Sequence, residues 1–118
     1  LSTVHANSPV EALDRLESMA LLAEASVPAS LIRRQLLSAV DLIVQLERDA
    51  AGKRFVRELS LVGAPEEREQ LLPVYSYTRV GQEGRFEAQL STLPNCAAAL
   101  WQRRGFEAPV LEAGGNQQ

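Results

Sequence analysis

Cysteine and histidine occur once each, as Cys96 and His5. A lone cysteine excludes an internal disulfide and any multi-cysteine metal site, and one histidine beside it argues against a zinc centre. Cys96 reads as a small buried or half-buried residue. No apolar run approaches the roughly 20 residues that a bilayer span requires, and the first residues carry no signal-peptide pattern. A strong charge of one sign is missing as well. The net charge is −3, so no global field favours nucleic acid or anionic lipid. The pairs Arg33-Arg34, Lys53-Arg54 and Arg103-Arg104 are local, and solvated faces account for them. A phosphate loop is also absent. Nowhere does a glycine precede, by five positions, a Gly-Lys pair followed by Ser or Thr. Gly52-Lys53 is the sole Gly-Lys pair, and it lacks both the upstream glycine and the following hydroxyl.

What remains is ordinary for a globular chain. At 118 residues it is one domain by length, and such a domain buries about 65% of its unfolded surface. Its hydrophobic fraction is 46% and its charged fraction 23%, both typical of soluble proteins.

The most informative stretch is the first, Leu1-Ser2-Thr3-Val4-His5-Ala6-Asn7-Ser8. It sets the only imidazole among hydroxyl and amide side chains, just before a helix start. Such a group can donate a hydrogen bond to an anion or shuttle a proton near neutral pH. The bland alternative is a frayed, solvated histidine.

Ser8-Pro9-Val10-Glu11 has the order of a capping box, with Ser8 as N-cap, Pro9 at the first helical position and Glu11 at the third. The spacing predicts a helix over 9–24. Its buried stripe would be Leu13, Leu16, Ala20 and Ala23, with Asp14, Arg15, Glu17 and Ser18 on the other side. Val27-Pro28 ends it. A second helix is expected over 29–39, edged by Ile32, Leu36, Ala39 and Val40, with Arg33 and Arg34 solvated beside that edge. A hairpin should follow at about 41–62. In its first strand Leu42, Val44 and Leu46 alternate with Gln45 and Glu47. Its return strand, 53–62, carries Phe55, Leu59 and Leu61 on one side, and Asp49 to Gly52 form the turn. The acidic 64–70 segment is expected to make one or two helical turns. Strands at 72–80 and 85–90 flank a turn at 81–84, and a helix at 93–104 is closed by Gly105. The tail 114–118 reads as disordered.

The run from Ser2 to Pro9, with Ala12-Leu13-Asp14-Arg15-Leu16-Glu17, Ile32-Arg33 and Ser38 to Gln45, resembles the type II/IV secretion-system ATPases, most of all their tight-adherence pilus branch. The resemblance is close over 1–62 and looser beyond. It implies an α+β fold: the C-terminal part of a RecA-like ATPase core, with two helices followed by β-hairpins and a final helix. Residues 1–62 would be the core segment with the family's histidine box, 63–113 an appended hairpin and helix, and 114–118 the tail. The Gly84-Arg85-Phe86 run resembles the family's C-terminal hairpin. The resemblance also implies that His5 is catalytic and faces the terminal phosphates of the nucleotide, with Thr3 and Asn7 in support. Arg15, Arg33 and Asp41 match family positions without a definite role.

In that family a phosphate loop and an acidic magnesium motif come before the histidine box, so this chain is expected to be the C-terminal fragment of a larger motor. The motor would use ATP and Mg2+, which are not expected to stay on the fragment, and would work as a homo-hexamer on an inner-membrane platform protein. It would lie in the cytoplasm at the inner face of the membrane, with no nucleic-acid partner and no membrane insertion. It would drive protein export or pilus assembly. Two other readings stand beside this one. The chain could be a non-catalytic interaction or oligomerisation module, or, more remotely, an acid–base enzyme pairing His5 with Asp41 or Glu11.

Overall fold

A computed structural model describes residues 1–23, 26–63, 70–80 and 83–89, together with 102, 105 and 107. The order of elements is α1 (Pro9–Ala23), α2 (Ala29–Ala39), β1 (Leu42–Arg48), β2 (Arg54–Val62), β3 (Leu71–Val80) and β4 (Glu83–Ala88). The strands form one antiparallel sheet in the order β1-β2-β3-β4. The fold is therefore α+β, with helices first and a meander after them. The 93–104 helix, the 64–69 turns, Cys96 and the 114–118 tail lie outside the described residues. Gly105 itself takes φ +78°, and its N–H donates to the Gln102 carbonyl at 3.0 Å.

Helix α1 starts where the capping pattern puts it. The Glu11 N–H donates to Ser8 Oγ at 3.2 Å, and the first helical bond runs from the Ala12 N–H to the Ser8 carbonyl. The return bond of the box is displaced by one residue: Glu11 Oε2 accepts from the Asn7 N–H at 2.9 Å, not from Ser8. In α2, Pro28 supplies an extended entry and its carbonyl accepts from the N–H groups of Leu31 and Ile32. Extended Val40 ends the helix (φ −99°, ψ 124°).

The buried stripes are shifted from the expected ones. Ala12 and Leu13 are buried in α1, whereas Leu16 and Ala20 are half-buried and Ala23 is exposed. Ile32 and Leu37 are buried in α2, whereas Ala39 is exposed. Each helix thus turns only part of its apolar arc toward its neighbours. Arg33 corrects the expectation of a solvated side chain. Its Nη1 reaches Asp14 at 2.9 Å and Glu17 at 3.1 Å on α1, and its Nε and Nη2 reach Gln70 Oε1 at 3.3 Å. It ties the two helices together and fastens them to the residue before β3.

The hairpin 42–62 forms as expected, with one irregularity. Gln45 pairs with Glu58 but Leu46 pairs with Val56, so Arg57 is the extra residue of a bulge. Leu59 and Leu61 oppose Val44 and Leu42, while Phe55 opposes Glu47; the bulge puts Phe55 out of step with the two leucines. The turn is built on Asp49. Its Oδ1 accepts from the N–H groups of Ala51 (2.9 Å) and Lys53 (2.8 Å), and Gly52 takes φ +81°. The pairing of β3 with β2 slips between Leu59 and Ser60. Strand β4 begins at Glu83, so Glu83 and Gly84 belong to the strand and not to the expected turn; Gly81 and Gln82 lie outside the described residues.

The sheet's buried side is the one that carries Ile43, Gln45 and the fully buried Ser60, whose Oγ donates to Glu58 Oε1 at 2.5 Å. Leu42, Val44 and Leu46 point the other way and stay about half exposed, at 48%, 48% and 57%. The period-2 pattern is present, but its apolar members line the open side of an edge strand.

Candidate functional site

The segment before α1 has no regular structure, yet its backbone is held at three successive residues. Arg15 Nη1 donates to the His5 carbonyl at 2.8 Å. Gln45 Nε2 donates to the Ala6 carbonyl at 2.9 Å. The Asn7 N–H donates to Glu11 Oε2, and Asn7 Nδ2 lies 3.4 Å from Glu11 Oε1. Each holding residue follows from its element. Glu11 and Arg15 stand one helical turn apart on α1, so both reach back over its N-terminus. Gln45 is on the covered face of β1, which brings it under the same segment.

His5, Thr3 and Asn7 are all exposed. The structure thus brings His5 and Asn7 together with Arg15, Glu11 and Gln45. It does not bring Asp41 into this group: that residue is exposed at the entry to β1, where its carbonyl accepts from the Val62 N–H. Arg33 is likewise engaged elsewhere. Gln45 was not singled out from the sequence as a site residue. The only signal for it was a long polar side chain in an otherwise apolar strand.

The hydroxyl of Thr3 and the imidazole of His5 stand at the surface, and the Arg15 guanidinium lies against the His5 carbonyl. The N-terminus of α1 is already taken by a carboxylate, because Glu11 occupies the position an anion would use. Asn7 spends its amide on that same carboxylate. Among the described residues no group of three or more His, Cys, Asp or Glu side chains could hold a metal ion. Nor, among them, is any helix long and apolar enough to cross a membrane.

No family profile matches the chain. Two proteins of Mycobacterium tuberculosis named for conjugal transfer, from strains CDC 1551 and H37Rv, are each 32% identical to it over 77 residues. The match covers 65% of this chain and 21% of each relative, so the chain spans about a fifth of the length of the curated relatives it matches. The chain is thus similar to part of each of these two proteins.

Proposed function

We propose that this chain is a C-terminal part of a RecA-like secretion or pilus-assembly motor ATPase, and that His5 contacts the terminal phosphate of the nucleotide or its attacking water. The observation that carries the reading is an exposed imidazole on a backbone held at residues 5, 6 and 7 by α1 and β1. The similarity to proteins named for conjugal transfer supports a secretion or transfer context.

Thr3 and His5 would hold the nucleotide, with Asn7 acting through the cap. ATP with Mg2+ would supply the transferable phosphoryl group, and the phosphate loop would come from another segment of the motor. Phosphoryl transfer depends mainly on positioning and charge stabilisation, which suits a donor on a fixed backbone. The motor would be a homo-hexamer in the cytoplasm, resting on a membrane platform protein.

The test is paired nucleotide-affinity and turnover measurement on a motor that contains this segment and its phosphate loop. His5→Ala should leave affinity largely intact, because affinity comes chiefly from the phosphate loop. Turnover should fall by about 10²–10⁴-fold, as for loss of a positioned acid–base or charge-stabilising group. His5→Gln should recover part of the rate if the ring acts as a neutral donor, and almost none if it carries a proton. Unchanged turnover in the Ala variant would return His5 to a solvated surface residue.

A second reading, an interaction or oligomerisation module, is favoured by one observation: the half-exposed Leu42, Val44 and Leu46 on the open side of an edge strand. The two readings are compatible in a motor built from several copies.

A further inference from the structure

Two side chains far apart in sequence act on adjacent peptide groups beside the lone histidine. Arg15 comes from α1 and takes the His5 carbonyl; Gln45 comes from β1, 39 positions away from Ala6, and takes the next one. These bonds hold the backbone alone, and the imidazole of His5 stays exposed. A held backbone under a free ring is the arrangement by which a side chain meets a ligand at a fixed place without first losing its own freedom of approach. We infer that Gln45 and Arg15 are positioning residues for His5: they set the backbone from which the imidazole projects, and so decide where it stands against the nucleotide. The inference rests on the proposed role of His5.

The chemistry separates the two supports. Gln45 is neutral, so its removal changes the geometry of the segment without changing its charge. Arg15 adds a cation at the His5 carbonyl, so its removal changes both. Lysine at 15 keeps the charge and one donor. Glutamate at 45 keeps the length but places an acceptor against the Ala6 carbonyl, so it cannot make the bond. Because Gln45 lies on β1, a shift of the β1–β2 hairpin would carry the Ala6 carbonyl with it. That gives the hairpin a direct mechanical path to the histidine.

Backbone ¹⁵N relaxation and ring relaxation on the 118-residue chain test this, and the single histidine makes the ring signal unambiguous. In the unaltered chain Ala6 and Asn7 should have order parameters near the rigid value of about 0.85. In Gln45→Ala, Gln45→Glu and Arg15→Met they should fall below about 0.6, with greater ring motion at His5. Arg15→Lys should restore most of the order. The amides of Val44 and Leu59 and the melting temperature should stay as in the unaltered chain. Unchanged order at Ala6 and Asn7 in Gln45→Ala and Arg15→Met would overturn the inference. So would a loosening that spreads evenly through β1 and β2, which would make Gln45 an ordinary structural residue.

In the motor, Gln45→Ala should lower kcat by up to about 10²-fold, the loss a misplacement near 1 Å can bring, with little change in KM. If His5→Ala leaves turnover unchanged, the role of His5 falls while the relaxation result still decides whether the two side chains hold its backbone.

Discussion

Arg33 shows what a single residue can hide from its sequence neighbourhood. Placed beside Arg34 on a helix edge, it reads as one of two solvated cations. In the fold its side chain is only 24% exposed and meets Asp14, Glu17 and Gln70. The partners lie 19, 16 and 37 positions away, so no local pattern announces them. Ser8, Pro9 and Glu11 are the opposite case. Their partners lie within four residues, and the cap was legible, except that Glu11 returns to Asn7 rather than Ser8. Replacing Arg33 with Met keeps the aliphatic stem and removes the ion pairs. Exposed pairs contribute little, but this one is partly buried and has three partners, so the loss should be about 1–2 kcal/mol by denaturant unfolding. In a Glu17→Gln background the loss should shrink. A Met variant as stable as the parent chain would mean that apolar contact alone joins the helices.

At the level of elements, the two helices and the first hairpin follow the residue pattern closely, because caps, prolines and the Asp49 turn act locally. Helix α2 occupies 29–39 as the spacing predicts, and α1 fills 9–23 of its expected 9–24, with residue 24 outside the described residues. The bulge at Arg57 was not legible, nor was the burial of the polar side of β1. Both are set by what lies across the sheet. Gly84 is a further example. It reads as a turn residue, yet it sits in β4 opposite Arg79. There the Tyr77 ring, itself 4.7 Å from the Phe55 ring between centroids, lies over it. A Cβ at Gly84 would collide with the Tyr77 hydroxyl and ring. Aromatic cover of a strand glycine in this way helps pin the strand register. Gly84→Ala should therefore destabilise the chain by about 1–3 kcal/mol, in the range of overpacking. The same change in a Tyr77→Ala background should cost much less. Equal costs in both backgrounds, read by thermal or denaturant unfolding, would show that the ring is not what excludes a side chain there.

For the molecule as a whole, the open question is what chemistry the chain performs by itself, and the answer expected is no ATP hydrolysis. A phosphate loop needs a glycine-rich turn that feeds directly into a helix N-terminus, so that backbone N–H groups converge on the phosphates. The sole Gly-Lys pair does something else. Gly52 takes its positive φ in a hairpin turn, the Lys53 N–H is bound to the Asp49 carboxylate, and a strand follows, not a helix. The N-terminus of α1 is closed by Glu11, and α2 begins from Pro28, which brings no side-chain cap and no glycine loop. Among the described residues no acidic cluster could take up magnesium. In the proposed motor, His5 and Thr3 would meet the phosphate, and the phosphate loop would come from another segment. Phosphate release by the purified chain with ATP and Mg2+ should equal that of a buffer blank and should be the same for the His5→Ala variant. Activity that co-purifies with the chain through successive columns and is lost in His5→Ala would place a complete catalytic site within these 118 residues and would refute the division of labour proposed for the motor.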